Sequence, residues 1–180
     1  MKKVSLIVAL LLAGLTLNAQ KYITTKGGIS FYSEAPLEKI EAHSNQARAM
    51  VDAVTGSMAF SVLIKSFEFE KALMQEHFNE NYMESDKFDK ATFDGKISNV
   101  KDVDFTKDGT YKVNVEGKLT IHGVTNQVKE SGTIIVKGGK VIAQSTFKIK
   151  LKDYGIKNDK LNNISEEIEI KVNCALDPKK

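Results

Sequence analysis

The chain has 180 residues, with 26 basic and 23 acidic side chains, a net charge of +3, 42% apolar residues and one cysteine. Its lysines alternate with carboxylates and form no aromatic-and-basic stripe, which argues against a nucleic-acid partner, and a single Cys cannot form an internal disulfide. After residue 19 no stretch approaches the ~20 consecutive apolar residues of a membrane span, so stable membrane insertion is not expected.

Met1-Lys2-Lys3, the apolar run Val4 to Leu17 and then Asn18-Ala19-Gln20 have the charged, apolar and small-residue regions of a secretory signal. That run is too short to span a bilayer, and no Cys follows it to carry a lipoprotein-type acyl chain. Residues 1–19 are therefore expected to be a signal peptide cleaved near Ala19, and residues 20–180 one periplasmic or secreted domain. Losing Lys2 and Lys3 leaves 24 basic against 23 acidic residues, so the pI of 8.8 says little about the mature chain.

In chain order, Gly28 to Ser33 places Ile29 and Phe31 on one face of a predicted strand. A longer stretch from Ile40 to Val54 alternates more weakly. Ser57 to Ile64 sorts Met58, Phe60, Val62 and Ile64 against Ser57, Ala59 and Ser61. Glu70 to Phe78 is rich in helix formers, with Leu73, Met74 and Phe78 at helical spacing, and predicts a short helix. The Asn-rich run Asn79 to Lys87 reads as a surface loop. Phe93, Gly95 and Ile97 resume the strand period.

The cleanest alternation sets Tyr111, Val113, Val115, Gly117, Leu119 and Ile121 against Lys112, Asn114, Glu116, Lys118 and Thr120. Thr125 to Val136 is a further strand, less strictly sorted, and Lys137-Gly138-Gly139-Lys140 closes it as a hairpin. Val141, Ala143, Phe147, Ile149 and Leu151 oppose Gln144, Thr146, Lys148, Lys150 and Lys152. The last strand, Ile168 to Cys174, carries Cys174 on its apolar face, where a free thiol packs as a small hydrophobe. About eight one-sided antiparallel strands leave unpaired edges unless the sheet closes, so an all-β barrel with a short helix near one end is expected. Periodicity leaves open whether it is hollow or filled, and does not separate a barrel from a two-sheet sandwich.

Three motifs carry a family resemblance. They are Gly117-Lys118-Leu119-Thr120-Ile121-His122-Gly123-Val124-Thr125 between two strands, the turn Lys152-Asp153-Tyr154-Gly155-Ile156, and Met74 with His77 on the short helix. In this order they resemble the YceI-like, polyisoprenoid-binding proteins, and the likeness covers nearly all of residues 20–180. The chain departs from that pattern at Asp89, where many members carry Pro, and at Phe31-Tyr32-Ser33-Glu34, which lacks a His found after their first strand. The resemblance implies an extended, lipocalin-like antiparallel barrel whose channel takes up a long-chain isoprenoid or other fatty amphiphile.

On that reading Phe60, Val62, Phe93, Ile97, Val113, Val115, Leu119, Phe147 and Ile149 are the expected channel wall. Leu73, Met74, His77, Phe78, Met83 and His122 are the expected mouth. Gly95, Gly117 and Ala143 among the large inward residues favour open space over a filled core. His122 at its turn either contacts a ligand head group or fixes the turn by a side-chain hydrogen bond. Glu76, His77 and Glu80 lack the paired-His spacing of a metal site, and no nucleophile elbow, phosphate-cradling Gly loop or evident acid/base pair occurs. No cofactor, metal or catalytic residue is expected. The competing readings are a ligand-free interaction module using residues 77–85 and, behind it, a hydrolase; a homodimer is left open.

Overall fold

The computed structural model describes residues 21–34, 39–157 and 164–179, so the expected signal peptide lies outside the described residues. In chain order the elements are β1 (Lys21–Glu34), β2 (Lys39–Asp52), β3 (Ser57–Leu63), β4 (Glu68–Phe69), α1 (Ala72–His77), β5 (Lys90–Ile97), β6 (Gly109–Ile121), β7 (Val124–Lys137), β8 (Lys140–Lys150) and β9 (Glu167–Pro178). Pairing runs β1-β9-β8-β7-β6-β5-β3-β2 and returns to β1, all antiparallel, so eight long strands close a barrel and the sandwich alternative falls away. The two-residue β4 adds to β2 where Phe69 lies opposite Ala42.

Local chemistry sets the turns. His122 and Gly123 both have positive φ, 51° and 74°, which gives the β6–β7 connection the backbone twist of a two-residue hairpin. Gly138 and Gly139, at 57° and 74°, do the same between β7 and β8.

β1 begins seven residues before its predicted start at Gly28, and the reason is a break in parity. Tyr22 is buried on the even parity, whereas Ile29, Phe31 and Ser33 face inward on the odd one; register shifts between Thr24 and Ile29 make the change. Opposite it, β2 changes from Ala42 and Ser44 to Ala47, Ala49 and Val51, which explains its weak alternation.

The barrel is closed at the Gly138 end by a core that includes Tyr22, Val51, Phe105, Val136, Val141 and Leu176. At the opposite end Leu119, Ile121, Leu151, Tyr154 and Ile156 form a second core under the turn Leu151–Tyr154. The predicted loop after α1 is instead structured: a wide π turn, Phe78–Tyr82, carries the Met83 N–H to the Phe78 carbonyl at 2.9 Å and buries Met83 and Ser85. Polarity in that run reflects the outer face of a packed turn.

Candidate functional site

The inward faces of the strands enclose a lumen of about 580 Å³, within the range of roughly 300–1,000 Å³ usual for small-molecule sites. Met58, Val113, Ile134 and Ala143 form its floor, where the core of the closed end begins. Under α1, Phe31, Phe67, Phe69 and Phe78 pack with ring centroids 5.0–5.8 Å apart. The helix covers this end lightly: none of its residues is fully buried, and Leu73 is 60% exposed.

Gly95 and Gly117 keep the lumen open indirectly. They face each other across β5 and β6, and a Cβ on either would meet the Phe93 ring, with Cζ 2.5 Å away at Gly95 and 2.8 Å away at Gly117. Phe93 therefore lies flat along the wall over the glycine pair, an aromatic ring covering bare backbone, and does not project across the channel.

Of the expected wall, Phe60, Val62, Phe93, Val113, Val115, Leu119, Phe147 and Ile149 line the lumen. Ile97 does not: at the last position of β5 it is 1% exposed inside the core of the closed end, and its N–H is tied to the Gly56 carbonyl at 2.9 Å. Leu73, Met74, His77, Phe78 and Met83 border the lumen at the α1 end. His122 lies outside it. Its Nε2 sits 3.0 Å from a Glu84 carboxylate oxygen, its Nδ1 3.3 Å from the Tyr154 carbonyl, and its ring 4.4 Å from that of Phe88. These contacts use both ring nitrogens to fix the hairpin against the end of the barrel.

Sequence reasoning missed Ile168, Ile170 and Val172 as wall residues, though their alternation was visible, and missed Glu130 altogether. Glu130 occupies an inward position of β7 opposite Val115, and burial pushes its carboxyl above the usual range. A carboxylate on the apolar parity between Val128 and Gly132 was the available signal. Cys174 is fully buried, its thiol pushed up to about 11 by burial against a weak bond to the Gly28 carbonyl at 3.7 Å, so it is chemically quiet. Among the described residues no three His, Cys, Asp or Glu side chains gather as metal ligands, and no helix is long and apolar enough to cross a membrane.

A closed antiparallel barrel with an apolar lumen and a helix across one end is the architecture of lipocalin-like barrels. The chain belongs to the YceI-like domain family, whose sequence model matches residues 23–176. No curated protein sequence matches it. Among solved structures it is similar to a polyisoprenoid binding domain from Saccharophagus degradans implicated in plant cell wall breakdown, at 14% identity and a TM-score of 0.77, covering 89% of this chain and 99% of that one. It is also similar to BcnA of Burkholderia cenocepacia, at 20% identity and a TM-score of 0.71 over 83% and 96% of the two chains. A Campylobacter jejuni YCEI protein aligns at 17% identity and a TM-score of 0.53 over 100% and 99%. At these identities the likeness establishes the fold.

Proposed function

We propose that this protein is an exported carrier that holds a long-chain amphiphile, of the isoprenoid class, inside its barrel. The observation that carries the reading is the apolar lumen of about 580 Å³ running from Met58 and Val113 to the phenylalanines under α1. The Saccharophagus degradans domain, described as polyisoprenoid binding, supports the ligand class. Export rests on the charged, apolar and small-residue pattern of residues 1–20.

Burying a tail of ~12 carbons at ~0.8 kcal/mol per CH₂ yields roughly 10 kcal/mol, against an association cost of about 4–15 kcal/mol. Long tails therefore bind and short ones do not. The test is native mass spectrometry of protein expressed as the full chain and purified without detergent, followed by solvent extraction. A stoichiometric added mass that yields a long apolar chain is the expected result. A bare polypeptide that stays bare after incubation with lipids overturns the carrier in favour of an interaction module. Fractionation of the producing cells checks export: the processed chain belongs outside the cytoplasm.

A further inference from the structure

β7 runs against β6 along its whole length, from Val124 opposite Ile121 to Val136 opposite Gly109, but it keeps β8 only from Lys137 opposite Lys140 to Gly132 opposite Ser145. Beyond that pair the strands part, and among the described residues no backbone hydrogen bond joins residues 124–131 to residues 146–150. Side chains stitch both ends of the gap. Ser145 Oγ donates to the Ser131 carbonyl at 2.7 Å, and Asn126 Nδ2 donates to the Asp153 carbonyl at 2.7 Å. Between them lies a window in the wall, five residue steps of β7 from Ser131 to Asn126, or roughly 17 Å at the rise of an extended strand.

The inner rim of this window is Val128, Glu130, Phe147 and Ile149, all half-buried and all lining the lumen. Among the described residues Glu130 is the only carboxylate on the lining. A carboxyl group in an apolar wall costs free energy unless a partner satisfies it, yet no described residue gives Glu130 a hydrogen bond or ion pair. The nearby cations lie on outward positions, and Lys129 reaches Glu116 instead, at 3.8 Å. Burial raises the Tyr154 pKa, and the nearby Glu130 charge adds a small push in the same direction. The carboxyl accepts a hydrogen bond in either protonation state, whereas an anionic head group against it meets a like charge.

We propose that the β7–β8 window seats the polar end of the bound amphiphile, with a terminal hydroxyl hydrogen-bonded to Glu130, and that this selects an uncharged alcohol over an anion of the same chain length. This rests on the carrier reading and turns the expected orientation around. The tail runs from the window towards the phenylalanines under α1, and the head group is read in the wall of the barrel, away from the helical mouth.

The test is displacement of the neutral fluorophore N-phenylnaphthylamine by hexadecanol and by hexadecanoate at alkaline pH, for the wild type, Glu130→Gln and Glu130→Leu, each checked for folding by circular dichroism. The wild type should hold the alcohol about tenfold more tightly than the anion, and Glu130→Gln should narrow that to within about threefold by strengthening the anion. Glu130→Leu should weaken the alcohol itself. A wild-type preference for the anion, or a preference unchanged in both variants, overturns the head-group site while leaving the carrier standing. Failure of both compounds to displace the probe from the wild type brings down the carrier and the head-group site together.

Discussion

Asp52 and Glu130 are both carboxylates held in the barrel wall, and the fold treats them in opposite ways. Asp52 Oδ1 accepts the backbone N–H groups of Thr55 at 2.9 Å and Val54 at 3.0 Å, and the Thr55 bond leads in holding its pKa below the usual range, against the effect of burial. Because the folded pKa is the lower one, this stabilisation is fully present above the unfolded value near pH ~4 and is lost as pH falls through the folded value. Asp52→Ala should cost about 2 kcal/mol in urea unfolding at neutral pH, with the gap to wild type shrinking in acid; equal midpoints at neutral pH would remove this turn from the account. Glu130 has the opposite sign, since burial raises its pKa. Its penalty is absent below the unfolded value near pH ~4.3 and grows as pH rises through the raised folded value. Glu130→Gln should therefore melt higher than wild type at pH ~7.5 and alike at pH ~4. Identical melting at both would mean that the carboxyl is fully hydrated through the window.

Among the elements, β5 and β6 hold the device that shapes the lumen. Phe93 covers Gly95 and Gly117, so a methyl at Gly117 meets the ring and the neighbouring backbone with no room to yield. Gly117→Ala should cost about 2 kcal/mol by overpacking, whereas Gly138→Ala, with nothing within 4 Å of its added Cβ, should cost only the ~1 kcal/mol of its positive φ. Thermal melts of the two variants compare collision with conformation, and equal costs would count against the ring-over-glycine packing. β7 differs from β6 in sorting less strictly, and one of its irregular positions, along with Asn126 and Ile135, is Glu130 at the unpaired window. The same irregularity therefore lowers the periodicity signal and marks the proposed head-group site. α1 is too short and exposed to hold its place by itself. Phe78, just beyond it, supplies the anchor by packing on Phe31, Phe67 and Phe69.

At the scale of the whole molecule, closure between β1 and β2 removes the edge that an open eight-stranded sheet would expose, while the ladder is interrupted between β7 and β8 and is short between β2 and β3, where only Arg48 to Val51 pair. The lumen is continuous from floor to helix, and apart from Glu130 its lining carries no carboxylate among the described residues, so a charge placed on an apolar wall position disturbs the path of a long tail. Val115→Asp or Phe147→Asp should abolish lipid uptake in a protein that keeps its β-sheet circular dichroism. Retained uptake in either folded variant would place the ligand elsewhere. A bound lipid should also stabilise the fold, by about 2.7 kcal/mol at a hundredfold excess over Kd, and so raise the melting temperature in a concentration-dependent way.

The strands, their inward faces and the two tight hairpins were legible in the residues because they depend on local chemistry: a side-chain period of two, and the positive φ that His122-Gly123 and Gly138-Gly139 supply. Eight of nine expected wall residues fell on the lumen for the same reason, since parity carries along a strand once its register is set. What tertiary structure alone decided was long-range. The bulges in β1 and β2 reverse parity only because both strands must pair around the ring, Ile97 leaves the lumen because the closed end packs over it, and His122 is claimed by Glu84 and Tyr154 from distant segments. The window beside Glu130 belongs to this second class. It arises where two strands joined by a tight hairpin are drawn apart by their other neighbours, β6 and β9, and a two-residue period carries no information about that separation.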